Sequence, residues 1–436
     1  MDLYKNKIFL KAFRKFAKTK LGLLFQIVYF CRTYLDFMQQ LTLIIKTLYG
    51  MEEVLREELE ELGYGEVKML NRAVEIQGSW KDVYFLNLHL RCALAVLVKV
   101  KEFWIKEEKD LYKQAMKINW TDYFDVDKSF AVKGAVFSQV FSHSQYPYLL
   151  VKDAIVDTFR EACGERPDVS VKNPQVLFDL HIKEKEVTIS LNTSGLPLYM
   201  RGYRQETGTA PLNEVLAAGM IRMSKWDRKT PFVDPFCGSG TLLIEAAFLA
   251  TGIPSCIERQ HFAFKNFKSF DEEVWEELQT NVRRKIRNWT PEQLGFKLIG
   301  SDLSEQMVLK TKRNLRGLPI ARLISLSVGS FEELKLDQEK PGILLSNPPY
   351  GKRLGSGERD EEIEELYGRL GDWFKQELSG FNCWIISSNL DALKCIGLKP
   401  STKIKLFNGD LECSFRKFEM FSGSNREFKT RQNQSS

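Results

Sequence analysis

The 436-residue chain is short of several things that would settle its chemistry at once. Its eight cysteines (31, 92, 163, 237, 256, 383, 395 and 413) include no C-x-x-C pair, and its four histidines (89, 143, 181 and 261) are scattered. That spacing argues against a zinc site and for reduced thiols in a cytosolic protein. No apolar run approaches the roughly 20 residues of a membrane span. "LGLLFQIVYF", Leu21 to Phe30, follows a basic stretch in the order of a signal peptide, yet no small-residue cleavage site follows it. There are no internal repeats or low-complexity tracts, and no G-x-G-x-x-G spacing, which disfavours a dinucleotide cofactor.

A global basic field is missing too. The net charge is +6, but residues 1–38 hold eight Lys/Arg against Asp2 and Asp36, so the rest balances to zero. Any polynucleotide must meet a local patch. Residues 1–38 read as a basic extension, or as upstream sequence from a start placed too early, with Met38 a natural beginning.

What is present reads as three α/β units. Residues 39–105 carry a short strand, an amphipathic helix with Met51, Val54, Leu55, Leu59 and Leu62 on one stripe, and further strands: a small α+β module. Residues 106–200 repeat that grammar. "PYLLVKDAIVDTFREACG" predicts a helix with Leu149, Ala154, Ile155 and Phe159 on one side, and "VLFDLHIKEKEVTISLNTS" a hairpin. Around residue 201 a locally basic stretch (Arg201, Arg204, Arg222, Lys225, Arg228, Lys229) suits either a solvated linker or an RNA contact. Thr209 and Pro211 can start a helix there. Residues 201–421 then alternate strand and helix and close in a hairpin around Asn408-Gly409. This predicts a doubly wound Rossmann-like sheet with an antiparallel terminal hairpin. Residues 422–436 read as a disordered tail.

Three fragments carry chemistry. In "DPFCGSG" a strand delivers Asp234, and Gly238 and Gly240 turn the backbone tightly into a helix whose N-terminus offers free N–H groups. The next strand ends at Asp302, which can accept both hydroxyls of a ribose or cap the following helix. Glycine turn plus acid, without a pyrophosphate grip, describe an adenosine-type cofactor, and S-adenosylmethionine (SAM) fits. In "NPPY", Pro348 and Pro349 leave the strand unpaired. The Asn347 side-chain carbonyl and the Pro348 carbonyl can accept the two hydrogens of a planar exocyclic amine, and Tyr350 offers a stacking face.

"DPFCGSGTLLIEAA" and "NPPYGKRLG" resemble the cofactor and catalytic motifs of class I SAM-dependent amino-methyltransferases. From about Leu41 to Phe421 the chain is similar to the THUMP-domain RNA guanine-N2-methyltransferases, "LVKDAIVDTFRE" and "SLNTSGLPLYMRGYR" matching their THUMP helix and exit segment. The resemblance implies a ferredoxin-like module, then a THUMP RNA-binding module, then the catalytic sheet. It implies catalytic Asn347, Pro348, Pro349 and Tyr350, and a cofactor set of Asp234, Pro235, Phe236, Gly238, Gly240, Asp302, Leu303 and Asn347. "TAPLNEVLAA" would place Pro211, Leu212 and Asn213 at the methionine end. Ser330 stands where the family often has an aspartate for the adenine amino group, and Lys352 replaces a glutamate. The implied activity is cytosolic methylation of a guanosine N2 in structured RNA, 23S rRNA first and tRNA second. A DNA adenine-N6 methylase and a non-catalytic RNA-binding assembly factor are the readings from other classes.

Overall fold

The computed structural model describes residues 40–204, 212–336, 340–351 and 361–421. The extension 1–38 and the tail 422–436 lie outside them, as do Pro211, Thr209 and Lys352. Among the described residues no helix is long and apolar enough to cross a membrane.

The N-terminal half is one sheet. Its strands are β1 (Leu41–Lys46), β2 (Lys68–Leu70), β3 (Ala73–Gly78), β4 (Ala95–Trp104), β5 (Phe130–Phe137), β6 (Val176–Lys183) and β7 (Glu186–Asn192), in the order β2-β3-β1-β4-β7-β6-β5. Two modules meet where β4 pairs with β7, from Leu97–Asn192 to Trp104–Glu186. β4 is ten residues long, and β1 covers only Ala95 to Val98 on its other side. The two modules therefore share a strand ladder and are not joined by a linker alone.

Helices α1 (Glu52–Glu61), α2 (Trp80–His89), α3 (Glu108–Ala115) and α4 (Tyr146–Cys163) pack on this sheet. In α1, Val54, Leu55 and Leu59 are buried, as their spacing predicts. In α4 the predicted stripe is out of phase at one position. Val151, Ala154, Ile155 and Phe159 form the buried row, and Leu149 is exposed, because it falls two residues short of the i, i+3, i+4 repeat that starts at Val151.

The C-terminal half is doubly wound. β8 (Phe232–Asp234), β9 (Leu298–Asp302), β10 (Ile324–Val328), β11 (Ile343–Ser346), β12 (Asn382–Ser387), β13 (Thr402–Asn408) and β14 (Leu411–Glu419) assemble as β10-β9-β8-β11-β12-β14-β13. β8 to β12 run parallel, and β14 is antiparallel to both its neighbours. Chain order reverses between β8 and β11, where an open α/β sheet has its ligand crevice at the carboxyl ends of the strands. Helices α5 (Glu214–Met223), α6 (Thr241–Thr251), α7 (Glu272–Asn288), α8 (Glu305–Leu315), α9 (Glu361–Glu377) and the short α10 (Ala392–Cys395) complete the half.

Much of the basic stretch near residue 201 is tied into the fold, while Lys225 and Lys229 are exposed. Arg201 is 1% exposed; it donates to the carbonyls of Leu90, Arg91 and Leu198 and pairs with buried Glu245. Arg222 and Arg228 pair with Glu61 on α1, and Lys225 with Glu57. Two further buried arginines work alike. Arg91 donates to the Phe248 and Ile253 carbonyls at the end of α6, and Arg259 to four carbonyls between Ser194 and Met200. These cations fasten the two halves together.

Candidate active site

The site is built where β8, β9 and β11 end. Asp234 closes β8 and is almost fully buried. Its Oδ1 accepts from the Ser346 hydroxyl at 2.5 Å and from the Phe236 amide at 3.3 Å. Burial pushes its carboxyl up to about 7, against these two hydrogen bonds and helped by the charge of Asp302.

The glycine turn follows. Gly238 (φ 53°) and Gly240 (φ 84°) both take left-handed backbone, which favours glycine. A Cβ on Gly238 would meet nothing within 4 Å, so this side of the turn is open. A Cβ on Gly240 would stand 2.5 Å from the Thr311 methyl. Thr311 and Asn314 on α8 hold the turn from behind by donating to the Gly238 and Ser239 carbonyls at 2.7 and 3.0 Å.

Both Asp302 oxygens accept from backbone amides. Its Oδ1 accepts from the Ser304 amide at 2.9 Å, just ahead of α8, and its Oδ2 accepts from the Gly238 amide at 2.9 Å. Each oxygen keeps a further lone pair, and the carboxylate is tied to the glycine turn it would serve. Leu303 beside it is 79% exposed. Ser330, after β10, bonds its hydroxyl to Glu332. Pro235 and Phe236 make the corner; Phe236 packs its ring on Phe331 at 5.5 Å.

Leu212 is buried, and Asn213 caps α5: its Oδ1 accepts from the Val215 and Leu216 amides at 2.9 and 3.2 Å. The helix therefore starts three residues later than Thr209 and Pro211 suggest, since Asn213 supplies the cap itself. Arg204 closes this corner. It donates to Glu214 at 2.7 Å, to the Thr241 and Ser239 hydroxyls at 3.0 and 3.2 Å, and to the Leu212 carbonyl. Sequence reasoning placed it among the basic residues and missed this role.

At the end of β11, Asn347 is half-buried, Pro348 buried and Pro349 exposed. Tyr350 differs from its sequence reading. Its ring is half-buried against the core, and its hydroxyl donates to Asn347 Oδ1 at 2.5 Å. Burial raises its phenol well above the ordinary range. The backbone of the motif is braced from behind: Asn389 donates to the Tyr350 carbonyl at 3.1 Å, and the Tyr367 hydroxyl to the Pro349 carbonyl at 3.2 Å. Ser346, Tyr367 and Asn389 carry no sequence signal, because only the fold brings the last two to the motif.

The arrangement can thus hold a ligand on an open glycine turn beside two acids, one strand away from an amide oxygen able to accept from an amine.

Comparisons with known proteins match this layout. Residues 42–97 match the RlmL ferredoxin-like domain, 106–192 the THUMP domain, and 201–417 the RMKL-like methyltransferase domain. Over 381 residues the chain is 35% identical to the ribosomal RNA large subunit methyltransferase K/L of Psychromonas ingrahamii. That match covers 87% of this chain and 50% of the relative, so the chain spans about half the relative's length. Among solved structures, a possible methylase from Clostridium difficile 630 is similar with a TM-score of 0.78 and 29% identity, over 88% of this chain and 100% of that one. SMU.472, a candidate methyltransferase complexed with S-adenosylhomocysteine, has a TM-score of 0.77 and 26% identity over 88% and 100%.

Proposed function

The chain belongs to the THUMP-containing family of RMKL-like methyltransferases, and on that premise we propose that it methylates the exocyclic N2 of a guanosine in 23S rRNA, with SAM as methyl donor, in the cytosol. One observation carries the reading. Asn347 leaves the sheet at the strand next to the glycine turn, and the 2.5 Å contact of Ser346 with Asp234 joins the two.

The residues fit the cofactor. The open side of Gly238 admits close approach, the Asp302 oxygens keep lone pairs for ribose hydroxyls, and Asp234 lies beside a site for a cationic amino acid end. When bound, SAM supplies an electrophilic methyl on a sulfonium.

This chain's residues then prepare the nucleophile. The guanine N2 lone pair is conjugated into its ring. Acceptance of its two hydrogens by Asn347 Oδ1 and the Pro348 carbonyl returns density to nitrogen and favours the positive charge that develops there. Asn347 needs no altered pKa for this. Tyr350 orients its amide oxygen, and Asn389 and Tyr367 fix the backbone that carries it. THUMP-side contacts hold the RNA.

The test is product identity. The protein is incubated with SAM and deproteinised 23S rRNA, and the digested nucleosides are resolved by mass spectrometry. N2-methylguanosine is expected. N6-methyladenosine, or methylation of tRNA in preference to rRNA, overturns the assignment.

A further inference from the structure

Four side chains line up across the surface between the β2–β3 turn and the β13–β14 hairpin. The Arg72 guanidinium lies over the Tyr49 ring at 5.7 Å, Tyr49 meets Phe407 edge-on at 5.8 Å, and Lys405 Nζ stands 5.4 Å from the centre of Phe407. Tyr49 is 50% exposed and Arg72 is exposed. Arg72 is held in left-handed backbone (φ 55°), its amide donating to Glu52 at 2.9 Å, and among the described residues its guanidinium has no carboxylate partner. Lys405 pairs with Glu412 at 2.6 Å. Two rings flanked by cations at the surface, one from each half of the molecule, suit bases and phosphates.

The line leads to the reaction edge. On β13, Lys405 and Phe407 face one way, while Leu406 and Asn408 face the other, with Leu406 buried and the Asn408 side chain directed at the Tyr350 hydroxyl. β14 is antiparallel to both β12 and β13, and β12 is parallel to β11. The Asn408 end of β13 therefore stands on the same edge of the sheet as Asn347. β12 and β14 stand between β13 and β11, and Lys405 and Phe407 lie on the side of β13 opposite to Asn408.

We propose that Arg72, Tyr49, Phe407 and Lys405 form a subsite for the unpaired nucleotides flanking the target guanosine. Bases stack on the two rings, and the cations meet the phosphates. The inference rests on the RNA-methyltransferase reading. A base whose N2 must reach Asn347 has to leave its stack, which leaves its neighbours locally unpaired and in need of another ring to lie on.

The experiment measures binding, apart from methyl transfer: anisotropy of a short fluorescein-labelled single-stranded RNA, with S-adenosylhomocysteine binding followed in parallel by calorimetry. Tyr49→Ala and Phe407→Ala should each weaken RNA binding about tenfold, and Tyr49→Trp should retain it. Arg72→Ala should lower the salt dependence of binding by about one released counterion. S-adenosylhomocysteine affinity should not change. RNA affinity unmoved in both alanine variants overturns the subsite alone, as does equal weakening by Tyr49→Trp and Tyr49→Ala, which would mark the rings as inter-module packing. A wild-type protein that binds S-adenosylhomocysteine but no RNA overturns the RNA reading with it.

Discussion

Asp234 sits in the site as an acid held partly protonated at neutral pH, because burial outweighs the Ser346 and Phe236 hydrogen bonds. The native state keeps a proton that the unfolded chain releases near pH 4. The stability this group contributes is therefore complete below that value and is lost as pH rises through about 7. A cationic ligand reverses the preference and expels the proton. SAM affinity should climb as pH rises to about 7, and Asp234→Asn should flatten the climb; calorimetry across that range, with an unaltered slope in the variant, would contradict it. At the acceptor, Asn347→Ala should lower turnover about 10²–10³-fold with SAM affinity kept, since the lost interaction strengthens as charge develops. Tyr350→Phe removes only the hydroxyl that orients the amide, a bond worth about 1 kcal/mol, so single-turnover rates should fall roughly fivefold. A rate equal to wild type would return Tyr350 to the ring-only role its sequence position suggests.

At the scale of elements, α8 is the wall against which the glycine turn is set. Gly240→Ala forces a Cβ into the Thr311 methyl on left-handed backbone, and urea unfolding should show a loss of about 1–3 kcal/mol. Stability equal to wild type would mean that α8 yields. These elements were legible in the sequence where local chemistry decides them. Gly238 and Gly240 after a strand, the prolines that end β11, and Asn408-Gly409 between two alternating runs each stand where they were expected. What was not legible depends on partners far along the chain. Arg201, Arg204 and Arg222 look like surface charge until Glu245, Glu214 and Glu61 are brought beside them. Leu149 misleads because a helix can show apolar residues on more than one side. Asp302 was read for a ribose or a helix cap, yet both of its hydrogen bonds here come from backbone amides, one of them in the glycine turn.

For the whole molecule, the buried arginines decide how the halves behave. Arg201→Ala leaves buried Glu245 without its ion-pair partner, which should cost about 3–5 kcal/mol. Arg91 spans the halves, so calorimetry of the wild type should give one unfolding transition, and Arg91→Ala should split it into two. Two transitions in the wild type would show that the halves unfold independently. The β4–β7 ladder has a further consequence. With the two N-terminal modules on one sheet, and that sheet clamped to the catalytic half by carbonyl-gathering arginines, the described residues offer no joint along which the halves could stretch or fold. On the proposed RNA reading, the two halves act as a caliper of fixed opening. An RNA anchored on the first sheet can present only the nucleotide that lies one set distance from its anchor, so inserting a single base pair between anchor and guanosine should carry the target past the jaws.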